Sequence, residues 1–461
     1  MRGLTPLALS SALLLALTGC PDSPSPNDAG GDSAVDAPMS YHDPLSAPAE
    51  PTLTPSSFSG ASACKDCHPG QYAEWRTSMH AYSMVDPVYR QLVRLRQTAF
   101  DGAQDQFCLQ CHSAIATRGG EIVPNFAFED LSPIALEGIT CESCHRVASI
   151  ARPYNSGHVL DPDGPIRGPL RNPDVSVYHE SEYSPMFESS EFCGACHDVR
   201  EANGVPLERP YQEWVESPAQ TAGPTCQGCH MPTYRGATVP GGTERDLHRH
   251  RFVGLDLPLS PNFISPDDEA AMATEIRDLL GTAASLEIHA QSRQPGTRLD
   301  TLVTVHNLIN GHNLPTGSTF LRQIWIEVIA QDALGRVLYE TGTLDANGDL
   351  RDRYSALDPY GDSDLVSLGS RLLDAHGEPT VLSWEAAEHV SSTIPALQAR
   401  TFTFFVPTAA DTTGPVTITA RLRLRTHPPF LLRLLELDEL IDRVQTYDLA
   451  SATVDVDLSP P

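Results

Sequence analysis

The second half of the chain alternates between apolar and polar residues, whereas most of the first half follows no regular period. Alternation places apolar side chains on one face of a β-strand and polar side chains on the other. Turns rich in Gly, Pro and Asp separate seven such runs: residues 286–291, 299–306, 323–330, 336–340, 400–406, 416–425 and 452–458. A series of short strands of this kind predicts an antiparallel β-sandwich.

Helix signals accompany the strand-like runs. Ser265, Pro266 and two following aspartates form a helix start, with an N-cap serine, proline at the first helical position and acids in the first turn. We expect this helix to run to residue 280 and to stop at Gly281. Residues 429–441 have a second amphipathic helical pattern, just before the last strand.

The change in pattern divides the chain into two domains. Residues 58–255 are interrupted by Pro, Gly and Asn, so only short helices are predicted there, such as 71–84 and 87–98. Residues 256–461 hold the longer helix and the strands. The predicted fold class is therefore α+β: a mostly irregular, short-helical domain followed by a helix and an antiparallel β-sandwich.

The first twenty residues have the organisation of an export signal. Arg2 precedes a short apolar segment, residues 6–17, which is too short to span a bilayer. The segment ends in Leu-Thr-Gly-Cys20, which resembles a bacterial lipobox. By that resemblance residues 1–19 are removed, Cys20 carries a lipid anchor, and the protein is exported and held on a bacterial membrane, facing the periplasm or the cell surface. The alternative is an ordinary signal peptide with an incidental cysteine.

The segment after Cys20 differs from both domains in composition. Residues 20–57 are rich in Pro, Ser, Asp, Gly and Ala and contain few large apolar side chains, which predicts a flexible tether. No later stretch approaches the ~18 consecutive apolar residues that a membrane helix needs. We therefore expect the protein to be anchored to a membrane without spanning it.

The chain is strongly acidic. Its 59 Asp and Glu residues against 31 Lys and Arg residues give a formal net charge of −28. This charge argues against nucleic acid as a partner and is compatible with a basic redox partner.

Apart from Cys20, every cysteine belongs to one repeated pattern, Cys-x-x-Cys-His. Two thiols at this spacing lie on one side of a single backbone turn, where they can add to the two vinyl groups of one haem. The next residue, His, then binds the iron as the proximal ligand. The attachment cysteines are Cys64, Cys67, Cys108, Cys111, Cys141, Cys144, Cys193, Cys196, Cys226 and Cys229, and the proximal ligands are His68, His112, His145, His197 and His230. The sequence thus predicts five haem c groups.

Two other uses of paired cysteines are possible in an exported protein. Cys-x-x-Cys pairs can build tetrahedral zinc sites, and ten cysteines can form five disulfides. Neither explains a histidine after every second cysteine, so covalent haem attachment is the favoured interpretation.

The surroundings of the motifs resemble a known family. Tyr72, Trp75, Ser78 and His80 follow the first motif, and Glu137-Gly-Ile-Thr precedes the third. This arrangement resembles the multihaem c-type cytochromes related to cytochrome c-554 and hydroxylamine oxidoreductase. The resemblance implies that His80 caps a haem on the face opposite a proximal histidine.

Twelve histidines remain as candidates for the second axial position of the five irons. His179 lies ahead of the fourth motif, where related cytochromes often place a distal ligand, and His158 lies on a glycine loop after the third. His248 and His250 close the haem region, and we expect one of the two to bind. The predicted distal ligands are His80, His158, His179, His248 or His250, and His312.

His312 is the most informative candidate because it lies in the β domain. It stands in Gly311-His-Asn-Leu-Pro-Thr-Gly, a tight turn between two predicted strands. Related cytochromes have a similar Gly-His-x-x-Pro-Thr-Gly turn. We therefore expect the β domain to pack against the haem domain and to supply one ligand.

Two classes of function follow from five haems in one domain. Two imidazoles on each iron fill both axial positions, which favours a low-potential electron carrier between a redox donor and a redox acceptor. The alternative is a multihaem oxidoreductase of the nitrite or hydroxylamine type, which needs one iron with an open position. The distal candidates are numerous enough to fill every site, so the carrier is the favoured hypothesis and no catalytic residue is predicted. A haem sensor or a structural adhesin is a third possibility, raised by the β domain.

Overall fold

A computed structural model describes residues 53–174, 176–291 and 293–458, and Cys20 lies outside these residues. Within them the predicted fold class is confirmed, because short helices dominate the first half and antiparallel sheets the second. The α-helices are α1 (Pro69–Trp75), α2 (Met79–Tyr82), α3 (Pro87–Phe100), α4 (Gln106–His112), α5 (Ala114–Arg118), α6 (Pro133–Leu136), α7 (Cys141–His145), α8 (Ser190–Gly194), α9 (Pro210–Val215), α10 (Ala219–Ala222), α11 (Cys226–His230), α12 (Pro266–Leu280) and α13 (Pro429–Leu434).

The described strands of the haem domain have two to five residues, and the strands of seven or more residues lie in the β domain. Those of the haem domain are β1 (Val147–Ile150), β2 (His158–Leu160), β3 (Ile166–Gly168), β4 (Ser181–Tyr183), β5 (Val199–Arg200), β6 (Pro206–Glu208), β7 (Thr233–Ala237) and β8 (Glu244–His248). Those of the β domain are β9 (Ala284–Ala290), β10 (Arg298–Asn307), β11 (Gln323–Gln331), β12 (Val337–Thr341), β13 (Val366–Leu368), β14 (Ser370–Leu373), β15 (Pro379–Thr380), β16 (Glu388–Ser391), β17 (Ala399–Pro407), β18 (Val416–Arg425) and β19 (Thr446–Val456).

Two antiparallel sheets share the main core of the β domain. One contains β17, β10 and β9 in that order, and the other contains β12, β11, β18 and β19, with β13 also paired to β11. The predicted alternation is visible in β10, where Leu299 and Val303 are fully buried and Leu302 is exposed. Apolar side chains from both sheets, such as Val305 and Leu422, belong to one cluster. Alternation therefore selects which face of each sheet is buried.

Three turns of the β domain repeat the sequence Asp-Ala-x-Gly. The first aspartate of each turn accepts hydrogen bonds from two backbone N–H groups further along, which closes the turn. These aspartates are Asp332, Asp345 and Asp374. The glycines, Gly335, Gly348 and Gly377, have φ of 77°, 76° and 80°, a conformation that glycine adopts without strain.

Most elements match the predicted ones, and the differences have local causes. Helix α12 begins after Ser265, whose hydroxyl accepts from the backbone N–H of Asp268 at 3.1 Å, and it ends at Gly281 as predicted. The single helix predicted over 71–84 is instead α1 and α2. Between them the hydroxyls of Thr77 and Ser78 donate to the carbonyls of Glu74 and Trp75, and such bonds compete with helix continuation.

Two further predictions in the β domain are corrected. The helix predicted over 429–441 stops after α13, and a 3₁₀ helix, Asp438–Arg443, follows it. Glu436 lies between them with φ of 57°, which breaks the helical path. Strands β13 to β16 were not predicted because they are only two to four residues long, too short for alternation to be visible.

The two halves of the chain pack together. All described residues, on both sides of the predicted boundary at residue 255, belong to one compact unit. Hydrogen bonds cross the boundary, for example from the Tyr82 hydroxyl to Ser260 at 3.0 Å and from the Gln91 amide to the Leu435 carbonyl at 3.1 Å. Among the described helices, none has both the length and the apolar character required to cross a membrane.

Candidate haem centres

Four of the five proximal histidines face a second histidine ring. The two rings of each pair have their centroids 6.3 to 6.5 Å apart and are inclined by 21° to 39°. The pairs are His68 with His179, His197 with His80, His145 with His250, and His230 with His312. Each pair joins one Cys-x-x-Cys-His motif to a histidine from a distant part of the chain.

The spacing within these pairs fits one metal ion between two imidazoles. Two metal–nitrogen bonds of about 2.0–2.1 Å each leave the two ring centres about 6 Å apart. The two cysteines that precede each proximal histidine are free, as covalent attachment of a porphyrin requires. Neither a disulfide nor a cluster of three or more ligand residues suited to a bare ion occurs within residues 53–174, 176–291 and 293–458. The residues present therefore fit haem c and not zinc.

Backbone carbonyls orient most of these rings. The Nδ1 atoms of six of them lie 2.5 to 3.2 Å from a carbonyl oxygen, which leaves Nε2 free for a metal. The six rings and their carbonyl partners are His68 with Thr238, His145 with Arg167, His230 with Val253, His179 with Glu180, His250 with His248, and His312 with Asn313.

Burial favours the neutral form of six histidine rings at the motifs and opposite them. Loss of hydration lowers the pKa of His80, His112 and His250 to about 4, and it lowers the pKa of His145, His230 and His312 as well. A neutral imidazole has a lone pair on one nitrogen, so these rings can bind a metal at neutral pH without first losing a proton.

The segment before the third motif positions His80. The His80 carbonyl accepts from the backbone N–H of Ile139 at 3.1 Å, and the Trp75 indole donates to the Ile139 carbonyl at 2.7 Å. Gly138 has φ of 74°, and a Cβ there would lie 2.5 Å from the His80 carbonyl oxygen. Glycine is needed for this close approach, which explains why Glu137-Gly-Ile-Thr and Trp75 occur together in the family resemblance.

A buried carboxylate positions His250. Glu74 accepts from the backbone N–H of His250 at 2.7 Å and from the Arg249 guanidinium at 2.5 Å. Glu74 belongs to α1, which directly follows the first motif. Its carboxylate therefore holds the segment that follows β8 against the first motif. His248 lies two residues earlier, and its Nδ1 contacts the Met231 carbonyl at 2.6 Å. The structure therefore places His250, and not His248, opposite a proximal histidine.

Glu213 in α9 holds the turn that carries His312. Its carboxylate accepts from the backbone N–H of Asn313 at 3.1 Å and from the Thr316 hydroxyl at 2.5 Å. The Asn307 amide donates to the His312 carbonyl at 3.1 Å from the β-domain side. The turn is thus bound by both domains, and His312 faces a proximal histidine of the haem domain as the sequence predicts.

His179 lies on a more exposed loop than the other facing histidines. Its neighbours Val177 and Tyr178 are 91% and 84% exposed, and β4 begins two residues after it. Strand β4 pairs with β3, whose Arg167 carbonyl orients His145. The same pair of strands therefore serves the sites of the first and third motifs.

The structure does not place His158 opposite a motif histidine, where the sequence predicts it, but beside the fourth motif. His158 is buried, its Nε2 lies 2.8 Å from the Phe192 carbonyl, and its Nδ1 lies 3.9 Å from the Cys196 sulfur. Both ring nitrogens are therefore occupied by contacts that attach β2 to the fourth motif. The sequence places His158 on a glycine loop beside a motif. It does not indicate whether such a ring binds a metal ion or a backbone carbonyl.

The second motif differs from the other four. The His112 ring stacks on Tyr89 with centroids 4.0 Å apart and planes inclined by 8°. Across the part of the chain that the structure describes, no histidine ring faces His112 at the spacing of the four pairs, and its buried Nδ1 has no hydrogen-bond partner. Twelve histidines lie outside the five motifs, more than one for each motif. The number of histidines therefore does not indicate that one motif histidine lacks a facing ring.

Contacts between thiols show which motifs are neighbours. Thiols of different motifs lie close enough to interact and join the first motif to the third, the second to the fourth, and the fourth to the fifth: Cys64 with Cys141, Cys111 with Cys196, and Cys193 with Cys226. Cys144 of the third motif also interacts with Cys196 of the fourth. The fourth motif is therefore adjacent to three others, and the first, second and fifth lie at the ends.

Replacing a facing histidine is expected to change one haem centre. His250→Ala should leave the amount of covalent haem unchanged and convert one low-spin haem to high spin, because His145 then has no partner ring. His248→Ala is the matched control, two residues away, and should leave the spectrum unchanged. Absorption and electron paramagnetic resonance spectra of the ferric protein measure both. A high-spin signal from His248→Ala alone would contradict the assignment.

Comparison with known proteins finds similarity to c-type cytochromes. Residues 63–146, which contain the first three motifs and His80, match the family model described as cytochrome c554 and c-prime. The penta-heme cytochrome c552 from Thermochromatium tepidum has a similar fold, with a TM-score of 0.61, 19% identity, and coverage of 87% of this chain and 99% of that one.

Other comparisons add little. A sporulation control protein from Bacillus subtilis aligns over 38% of this chain and 49% of its own, at 11% identity and a TM-score of 0.15, which is too low to indicate a shared fold. No curated protein matches the chain. Five Cys-x-x-Cys-His motifs and a fold like that of a penta-heme cytochrome are features of multihaem c-type cytochromes, and residues 63–146 are similar to cytochrome c554 and c-prime.

Proposed function

We propose that this protein is an electron carrier that holds five covalently bound haem c groups. In the proposal it is exported, tethered to a bacterial membrane by a lipid on Cys20, and exchanges electrons with a redox donor protein and a redox acceptor protein. The observation that carries the proposal is the set of four facing imidazole pairs, each at the spacing of one metal ion.

The facing histidines close both axial positions at four sites. Haem iron held between two imidazoles cycles between its ferric and ferrous states and supplies one-electron transfer. His80, His179, His250 and His312 leave no position there for a substrate molecule, which favours electron transfer over catalysis at these sites. Ligation by two histidines also favours a lower reduction potential than ligation by histidine and methionine.

The neighbour relations of the motifs support a continuous route. The route runs from the first motif through the third to the fourth, and from the fourth to both the second and the fifth. Cys67 and Cys229, of the first and fifth motifs, are exposed, whereas the cysteines of the second, third and fourth motifs are partly buried. We infer that partner proteins exchange electrons at the first and fifth sites.

Surface charge indicates what kind of acceptor fits. The formal net charge of −28 favours encounter with a basic protein and disfavours encounter with an acidic one. This attraction acts through water and weakens as salt screens it.

The proposal predicts five haems and electron transfer that depends on salt. Denatured mature protein should give a pyridine-haemochrome value of about five haems per chain, because thioether bonds survive unfolding. Reduced protein mixed rapidly with an oxidised basic c-type cytochrome should transfer electrons at a rate that falls as ionic strength rises. An acidic acceptor of similar potential is the control and should react more slowly at low salt. Fewer haems, or no transfer to either acceptor, would refute the proposal.

The lipid tether has its own test. Cys20→Ala should release the protein from membranes into the soluble fraction and leave the number of haems unchanged, because the residue lies outside all five motifs. Fractionation of cells followed by haem staining of the gel measures both. A variant that remains in the membrane fraction would contradict anchoring at Cys20.

A second candidate function rests on the site of His112. Tyr89 stacks on the face of the His112 ring, and none of the described histidines lies across from His112 at the spacing of the four pairs. This observation favours a redox enzyme of the nitrite or hydroxylamine type, in which the other four sites deliver electrons to, or remove them from, one open position.

Carbon monoxide distinguishes the two candidates. If the site of His112 is open, the reduced wild-type protein should bind about one CO per chain, whereas four sites closed by two histidines should bind none. Tyr89→Phe is a control that keeps the stacked ring and should still bind CO. No CO binding, together with a low-spin spectrum typical of methionine ligation, would instead assign the sixth position to a methionine such as the buried Met84.

A further inference from the structure

A buried arginine without a negatively charged partner lies beside the second and fourth motifs. Arg118, the last residue of α5, is 2% exposed. One of its terminal nitrogens, Nη2, donates to the carbonyl of Ser156 at 2.7 Å and to the hydroxyl of the same residue at 3.0 Å. Its other two nitrogens, Nε and Nη1, are buried and have no hydrogen-bond partner in the described chain.

The loop that holds Arg118 connects two haem motifs. The Ser156 hydroxyl donates to the carbonyl of Gln110, which lies between the two cysteines of the second motif. The backbone N–H of Gly157 donates at 3.2 Å to the carbonyl of Ala195, inside the fourth motif. The guanidinium also lies near enough to Cys196 and Cys111 to interact with them electrostatically, and these two thiols are neighbours. Arg118 is therefore placed where the second and fourth sites meet.

A second buried arginine shows what is missing at Arg118. Arg96 is also 2% exposed, but its two terminal nitrogens donate to both carboxylate oxygens of Glu201, at 2.8 and 3.0 Å. Its positive charge is thereby compensated next to Cys108. Arg118 forms no salt bridge with any residue that the structure describes. None of the described side chains therefore balances its positive charge beside the second and fourth motifs.

Burial makes an uncompensated charge effective. Removing a cation from water is unfavourable, and inside a protein its field is screened much less than at the surface. Once both thiols have become thioethers they carry no negative charge, so they cannot balance the guanidinium. Haem propionates are the anions that could pair with the guanidinium, and their charge stays constant during function, whereas the charge of the irons of the two sites changes.

We propose that Arg118 is a residue that raises the reduction potentials of the haems at the second and fourth motifs. The inference rests on the proposed electron-transfer function. Reduction adds one electron from the donor to a ferric iron and gives a ferrous iron, which lowers the positive charge at the site by one. A fixed cation nearby stabilises the reduced state relative to the oxidised state. Arg118 therefore favours electrons at the fourth motif, which adjoins three other motifs, and at the second motif, which contains His112.

The proposal is tested by changing the charge of Arg118 in the full haem-loaded protein. Arg118→Met should lower the midpoint potentials of two of the five haems. We expect the equilibrium constant for reduction of each to fall about tenfold or more, which corresponds to about 59 mV for a one-electron transfer. Arg118→Lys keeps the charge and should largely restore both potentials, although it cannot reproduce both contacts to Ser156. Arg94→Met removes an exposed charge, with a side chain 49% exposed, and should change no potential. Potentiometric titration followed by absorption and electron paramagnetic resonance spectra measures all three.

A second variant acts without removing the arginine. Ser156→Asp places a carboxylate next to Arg118, and aspartate tolerates the left-handed backbone of this position, where φ is 60°. The proposal requires that this variant lower the same two potentials, which covers the case in which Arg118→Met does not retain five haems.

Three results would overturn the proposal. The first is the absence of any shift in Arg118→Met or Ser156→Asp. The second is an equal shift in Arg118→Met and Arg118→Lys, which would show that only the contacts to Ser156 matter. The third is a shift of equal size in all five haems. Loss of electron transfer to every acceptor, with the selective shift intact, would refute the proposed function and not the role of Arg118.

Discussion

Two imidazole rings that meet across a gap of about one metal ion are the contact on which the rest of this structure depends. One ring of each pair comes with its cysteines in a five-residue motif, so local backbone geometry sets its position. The other ring comes from a segment that is remote along the chain, and only packing can bring it there. Backbone carbonyls then hold Nδ1, so that Nε2 is directed into the gap. Four such pairs must form at once, which links the short helices and loops of the first half into one unit.

The β domain takes part in this requirement although it contains no cysteine. Its two sheets bury their own apolar core, and they present the His312 turn as a rigid projection. Glu213 of the haem domain binds that turn through a backbone N–H and a hydroxyl, and burial raises the pKa of its carboxyl group. The domain interface and one candidate haem centre are therefore the same set of contacts. This arrangement explains why the described residues on both sides of the predicted boundary form a single compact unit.

The five sites are chemically unequal even though their motifs are alike. Four have a facing histidine among the described residues, whereas the histidine of the fifth, His112, is stacked against Tyr89 and has no such partner there. The odd site is also the one beside which Arg118 remains unpaired, while Arg96 nearby is neutralised by Glu201. Charge and coordination thus distinguish the end of the route at His112 from the exposed ends at the first and fifth motifs.

The amino-acid sequence by itself determined the features that depend on neighbouring residues. The spacing of two cysteines and a histidine is a local geometry, the Ser265 cap and Gly281 stop are set within one turn of α12, and alternation in strands such as β10 follows from the pleat. Tertiary structure decided everything that depends on which remote groups meet. His250 faces a proximal ring and His248 does not, and His158 binds the Phe192 carbonyl. The residues next to each of these histidines do not indicate its partner, and only the packing of the complete chain determines the atom that each ring nitrogen meets.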